Sequence, residues 1–482
     1  MEILITVFLY FFVLFVVSRW TGRRATNESF YRANRRSPWP MVAFGMVGAS
    51  ISGVTFVSVP GMVQTSQMTY LQVCLGFVVG YLIVAFVLLP LYYRMNLTSI
   101  YGYLGLRLGR RSYLSGAWFF LLSKMTGAAA KFYVVCLILQ QFVFDIVGVP
   151  FWANVVGLVL LIWLYTHRGG IKTLVFTDTL QTLCLLTALL FIVYKVVGQL
   201  DMTLTEAVQA VADSPMSRIF VLDDWLSPRN FWKQFLSGVF IVIVMTGLDQ
   251  DMMQKNLTCR TLREAQKDMC SYGVAFVPVN LLFLTLGVLL TMLPHLSGVT
   301  GDALLPTYVQ GAANYYQFSF FNLQCIFALG IVAASFSTAD SALTSMTTSY
   351  CIDICQRPAD ERLRKRVHTV MCLLFVLFIL LFRYVNSTSL IDAIYIMVSY
   401  TYGPLLGLFA FGLFTHRQPN DRWAPYICVA SPLLCYLLDQ LVQSLWDYHF
   451  GYELLLLNGV LTFIGLWISS QETRLAGHRK SS

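Results

Sequence analysis

Charge is what this sequence has least of. Asp, Glu, Lys and Arg make up 12% of its 482 residues, about half the roughly 25% of an ordinary soluble domain, while 57% are hydrophobic. A chain so poor in charge does not clothe a water-facing surface, which excludes a soluble globule. Histidine is scarce as well: there are six, most of them at the ends of apolar runs or between them, with no His cluster and no nucleophile motif beside them. Nothing there builds a catalytic constellation, so an enzyme is not expected. The eleven cysteines are scattered; Cys351 and Cys355 lack accompanying His ligands, and there is no Cys-x-x-Cys, so they read as small core residues rather than a metal centre. The net charge of +9 does not point to nucleic acid, because the basic residues are sorted between alternate connections of a membrane protein.

What the chain does have is long apolar runs. Segments of about 20 residues, enough to cross the roughly 30 Å hydrocarbon core as helices, fall at 2–18, 39–61, 69–92, 113–143, 150–166, 174–198, 231–252, 271–294, 319–350, 367–385, 388–414, 424–441 and 452–470. The expected architecture is an all-α polytopic membrane protein of about thirteen crossings. Of the 33 basic residues, 26 lie in the connections of one side, 19–38, 93–112, 167–173, 254–268, 356–368, 416–423 and 471–482. The other side and its flanks hold only Lys195, Arg218, Arg229, Lys233 and Arg383, and Lys124 and Lys131 fall inside a crossing. The positive-inside rule then puts the N-terminus outside and the C-terminus in the cytoplasm, in the plasma (inner) membrane. The first run begins Met-Glu and its arginines follow it, the reverse of a cleavable signal, so it is expected to be a retained helix.

Two crossings are not simply apolar. Ala333 to Asp353 carries a hydroxyl or carboxylate at more than half its positions, and Ser337, Thr338 and Ser341 follow Ala334 at intervals of three, four and seven, on one helix face. Hydroxyls can bond back to their own helix or serve only to let helices approach. Asp340 beside them favours a site for a hard cation, because intramembrane acids are costly and usually functional. In the second crossing Gly45, Gly48, Ala49, Ser50, Ser52, Gly53, Thr55, Ser58, Pro60 and Gly61 interrupt the apolar run. That density predicts a broken helix whose freed carbonyls can coordinate an ion near mid-membrane.

Ser29-Phe-Tyr-Arg-Ala-Asn-Arg-Arg before the Gly-Ala-Ser-Ile-Ser-Gly helix, Tyr93-Arg-Met-Asn-Leu-Thr-Ser-Ile-Tyr-Gly-Tyr-Leu, Gly170-Ile-Lys-Thr-Leu-Val-Phe-Thr-Asp-Thr-Leu-Gln, and Gln254 followed by Arg260 to Lys267 together resemble the sodium:solute symporter family over roughly residues 1–415. The resemblance implies a LeuT-like core of two inverted five-helix repeats, at 39–198 and 231–415. An extra helix and basic linker (1–38) precede it, an external loop (199–230) joins the repeats, and two helices and a tail (416–482) follow. It implies a sodium site built from the carbonyls of Gly48, Ile51 and Ala334 and the hydroxyls of Ser337 and Thr338. Some members of the family hold a second sodium, here matching Asp178, Ser337, Asp340 and Ser341. Asp340 departs from the usual Ser, which leaves the number of ions open.

The resemblance implies that the solute lies at mid-membrane between the broken first and sixth core helices, at 39–61 and 231–252, with Thr55, Gln72, Lys124, Lys131, Asp249, Gln250, Tyr400 and Tyr402 as candidate lining groups. Lys124 and Lys131 are seven apart and share a face; they either pair with acids such as Asp249, Asp251 or Asp340, or hold an anionic group of the solute. The function expected is sodium-coupled uptake of a small polar organic solute by alternating access. The alternatives are a proton-coupled carrier, in which Asp178 or Asp340 cycles its proton, and a transporter-like membrane sensor that binds the solute without moving it.

Overall fold

A computed structural model of the chain describes residues 2–23, 26–225, 227–312, 322–383, 390–446, 448, 450–451 and 453–470. Among them every regular element is helical, apart from one isolated bridge between Ser37 and Cys259. We label the principal helices α1 (Glu2–Thr21), α2 (Trp39–Ser50), α3 (Gly53–Ser66), α4 (Tyr70–Ile83), α5 (Arg110–Leu139), α6 (Phe151–Gly169), α7 (Ile171–Gln199), α8 (Phe231–Val242), α9 (Gln250–Asn256), α10 (Leu262–Thr291), α11 (Leu323–Ser349), α12 (Glu361–Phe382), α13 (Leu390–Phe414), α14 (Ala424–Trp446) and α15 (Leu454–Ser469).

Eight stretches are long and apolar enough to cross a membrane as single helices, and two bent pairs bring the number to ten among the described residues. The three remaining expected crossings, at 2–18, 150–166 and 452–470, fall on the apolar helices α1, α6 and α15. The tail from residue 471 onwards lies outside the described residues.

The bent pairs open the two halves of the chain. α2 and α3 meet at 61°, and Phe231–Gly247 meets Gln250–Asn256 at 70°. Local chemistry accounts for both breaks. Ile51 and Ser52 leave the helical region (ψ 100° and 170°), and Ser52 restarts the helix with a capping box, its hydroxyl accepting from the Thr55 amide while the Thr55 hydroxyl accepts from the Ser52 amide. In the second break Asp249 is the N-cap of α9, its carboxylate accepting from the Asp251 and Met252 amides.

α11 is the axis of the bundle. Within its span 89% of the apolar window is buried, against 17% for α14, so the hydroxyl-rich helix sits inside the protein and α14 faces outward. Glycine lets its neighbours close in: a Cβ on Gly48 of α2 would lie 3.0 Å from the Thr182 Cα of α7, and one on Gly45 3.0 Å from the Asp178 Cβ. Those contacts set α7 directly against the break in α2.

Two residues assigned by their spacing to the basic connections are not in water. The side chain of Lys255 on α9 is 3% exposed and that of Arg364 on α12 is 2%, the latter with its guanidinium 4.2 Å over the Phe30 ring. The break in α8/α9 turns the second half-helix inward and buries it, a geometry that counting basic residues cannot register.

Candidate ion and solute site

The row of hydroxyls on α11 divides into two groups. Ser335 and Ser345 bond back to carbonyls of their own helix, a common use of such residues, and Thr347 and Thr348 do so while also meeting His368 of α12 and Gln254 of α9. Nearer the break in α2, Thr338 and Ser337 reach to other helices. The Thr338 hydroxyl lies 3.1 Å from the Ala334 carbonyl of its own helix and 3.1 Å from the Ala49 carbonyl at the end of α2. Ser337 donates to Asp178 on α7 at 2.8 Å. Thr338 thus ties the Ala334 turn of α11 to the broken stretch that holds Gly48 and Ile51, through the neighbouring Ala49 carbonyl, whereas Ser337 points to α7.

The carboxylates deeper along α11 are arranged differently from the sequence expectation. Asp178 is met by the ammonium of Lys255, 2.7 Å from its Oδ2, both side chains at most 3% exposed. Asp340 accepts a hydrogen bond from Tyr165 at 2.7 Å, and its Oδ1 and the Ser341 hydroxyl have no hydrogen-bond partner among the described residues. The cation beside the acid pair is therefore Lys255 and not Lys131.

A cavity of about 130 Å³ opens between the two breaks, and Ala49 and Thr338 form part of its wall. Of the expected lining groups Thr55, Lys124, Lys131, Asp249 and Tyr402 face it. Lys124 bridges two acids of the second break, 2.7 Å from Asp251 and 3.2 Å from Asp249, and Asp249 also accepts from the Tyr402 hydroxyl. Lys131 makes no ion pair or hydrogen bond among the described residues and projects into the same cavity.

Gln72, Gln250 and Tyr400 do not line it. Gln72 is fully buried and ties the segment before α8 and the first turn of α8 to α4 through the Arg229 carbonyl (3.0 Å), Gln234 (2.8 Å) and the Val221 amide (3.2 Å). Gln250 does the same for the loop after α4, bonding the Ile100 amide at 2.9 Å and the Thr98 carbonyl at 3.0 Å. Tyr400 packs edge-on against Tyr436 of α14. The physical reason is the helical period: positions two apart on α13 point about 200° from one another, so only Tyr402 of the two tyrosines can face the cavity.

The structure adds Tyr81, Thr246 and Tyr272, which sequence reasoning passed over, to the cavity wall beside Ser50 and Asp251; the Tyr272 hydroxyl meets Ser50 and accepts from Tyr81 at 2.6 Å, a hydroxyl chain across α2, α4 and α10. Thr246-Gly247 ahead of the capping Asp249 was the available signal for a second break.

Residues 30–422 match the model of the sodium:solute symporter family. The human sodium/iodide cotransporter is 28% identical over 251 residues, 51% of this chain and 38% of its own length. The sodium/sialic acid symporter NanT of Aliivibrio fischeri is 25% identical over 449 residues, 89% of this chain and 85% of NanT. In fold, the chain is similar to the substrate-bound outward-open state of a Na+-coupled sialic acid symporter, with a TM-score of 0.80 over 98% of this chain and 99% of that one at 19% identity. With four-fifths of its length inside the family match, the chain belongs to the sodium:solute symporter family.

Proposed function

We propose that this protein couples inward sodium movement to the uptake of a small polar organic anion by alternating access. It sits in the plasma membrane, the inner membrane of a bacterium, with its N-terminus outside. The sodium ligands are the carbonyls of Gly48, Ile51 and Ala334 and the hydroxyls of Ser337 and Thr338. The observation that carries the reading is Thr338: its hydroxyl joins α11 to the Ala49 carbonyl at the break of α2 while the same residue forms part of the cavity wall. An ion held there draws α11 and α2 together at the surface the solute touches, which links the two binding events. Each sodium entering gains about 2.3 kcal/mol per 100 mV of membrane potential, besides its concentration gradient.

The anionic character of the solute rests on Lys131. Lys124 is matched by Asp249 and Asp251, whereas Lys131 stands unmatched at the cavity. The names of the two relatives, with iodide and sialic acid as their cargo, accord with an anion. Lys131→Gln is expected to raise the KM for solute roughly tenfold or more, since a charge-assisted hydrogen bond contributes about 1.5–3 kcal/mol, without lowering thermal stability. An unchanged KM removes Lys131 from the solute site.

Orientation is open to direct labelling. In a background without native cysteines, Arg110→Cys is expected to react with an impermeant maleimide only from the cytoplasmic side. Val208→Cys, at a position 67% exposed on the short helix Leu204–Asp213, is expected to react only from outside. The opposite pattern reverses the topology.

Proteoliposomes loaded with a potassium buffer and offered a panel of labelled organic anions test the function. Uptake is expected under an inward sodium gradient and not under a potassium control. A proton-coupled reading is favoured by one observation, the buried Asp340 with a single hydroxyl partner; uptake driven by an inward proton gradient without sodium is the outcome that selects it.

A further inference from the structure

Asp178 carries a counter-ion that belongs to the protein itself. Its Oδ2 lies 2.7 Å from the Lys255 ammonium, and its Oδ1 accepts from Ser337 at 2.8 Å. Lys255 makes no other ion pair among the described residues, and it sits on α9, beyond the break that turns this half-helix into the protein. The Ser337 hydroxyl, expected to serve a sodium, spends its proton on the same carboxylate.

Two carboxylates close to one helix in a low-dielectric interior need a cation nearby for both to be charged. A mobile ion can provide it, but only by giving up water and translational freedom each time it binds. A tethered ammonium gives up its water once, on folding, and needs no association step. It is also a donor with no acceptor capacity, so while it is seated it repels any further monovalent cation from the Asp178 oxygens.

We propose that Lys255 is a built-in cation that takes the place of a second sodium at Asp178, so that the protein binds one mobile sodium rather than two. This rests on the sodium-coupled reading above and names Lys255 as the residue that sets its ion stoichiometry. Asp178, Asp340, Ser337 and Ser341, which together would suit a second sodium, are withheld from it by one side chain. Removing that ammonium uncovers a latent site of monovalent-cation chemistry: two carboxylates with two hydroxyls.

Equilibrium binding of 22Na+ to the purified full-length protein, read by scintillation proximity and saturated with unlabelled sodium, tests this. The wild type is expected to hold about one sodium per chain. Lys255→Gln is expected to hold about two, the second lost again in Lys255→Gln/Asp178→Asn, which removes both charges of the ion pair. Should Lys255→Gln not fold, the wild-type count and the doubly neutral variant decide: about one sodium in each supports the proposal. Two sodium ions on the wild type, or one on a folded Lys255→Gln at wild-type affinity, overturn the role of Lys255 while leaving sodium coupling intact. No sodium on the wild type overturns the sodium-coupled reading, and this proposal with it.

Discussion

Replacing both Ser337 and Thr338 by Ala is expected to leave sodium-driven uptake close to background. Thr338→Ala alone is expected to raise the sodium concentration for half-maximal uptake by roughly ten- to a hundredfold. The Thr338 hydroxyl lies 3.1 Å from each of two carbonyls on different helices, and a dehydrated cation placed among them has no water to replace a lost ligand. A polar contact to a charged group contributes about 1.5–3 kcal/mol, and each 1.4 kcal/mol is a factor of ten. Thr338→Ser keeps the oxygen and should stay near the wild type, which separates loss of a ligand from loss of packing. Initial uptake rates against external sodium make the comparison. A double variant with the sodium dependence of the wild type removes this site from the account.

Lys124→Met is expected to be the most destabilising single change at the cavity. The ammonium lies 2.7 Å from Asp251 and 3.2 Å from Asp249, whose side chains are 5% and 2% exposed. Without it two adjacent buried carboxylates lose their common counter-ion, and breaking a buried pair in this way costs about 3–5 kcal/mol. Asp249 is also the cap of α9 and the acceptor for Tyr402, so the second break, α5 and α13 are disturbed together. The measurement is the thermal midpoint of the detergent-solubilised protein. A fall of many degrees is expected, partly recovered by adding Asp251→Asn. Lys131→Gln on the same face of α5 should show no such fall. Equal midpoints for Lys124→Met and the wild type show that the network does not hold the second break in place.

The contrast between these two lysines marks how far the sequence can be read. Their seven-residue spacing puts both on one face of α5, and both do line the cavity, but spacing says nothing about which finds an acid. The break between α2 and α3 was legible because glycine, serine and proline cluster where an apolar run should continue. The oxygen-bearing face of α11 was legible because Ala334, Thr338 and Ser341 keep the helical period. Lys255 was not: as the second residue of a basic connection it looked like a topology signal, and only the 70° bend after Gly247 carries it into the interior. Gln72 and Gln250 misled for the opposite reason. A buried amide is equally at home holding backbone groups of a loop or a ligand, and here each holds a loop.

Coupling itself is most directly measured in reverse. Proteoliposomes containing the protein, with equal sodium inside and outside and no membrane potential, are given an inward gradient of the solute identified by the uptake panel, and 22Na+ entry is followed. A symporter in which Thr338 joins the ion site to the cavity wall must move sodium inward, against no gradient of its own, in fixed proportion to the solute, and must cease to do so in the Ser337→Ala/Thr338→Ala variant. Solute entry with no net sodium movement contradicts the account.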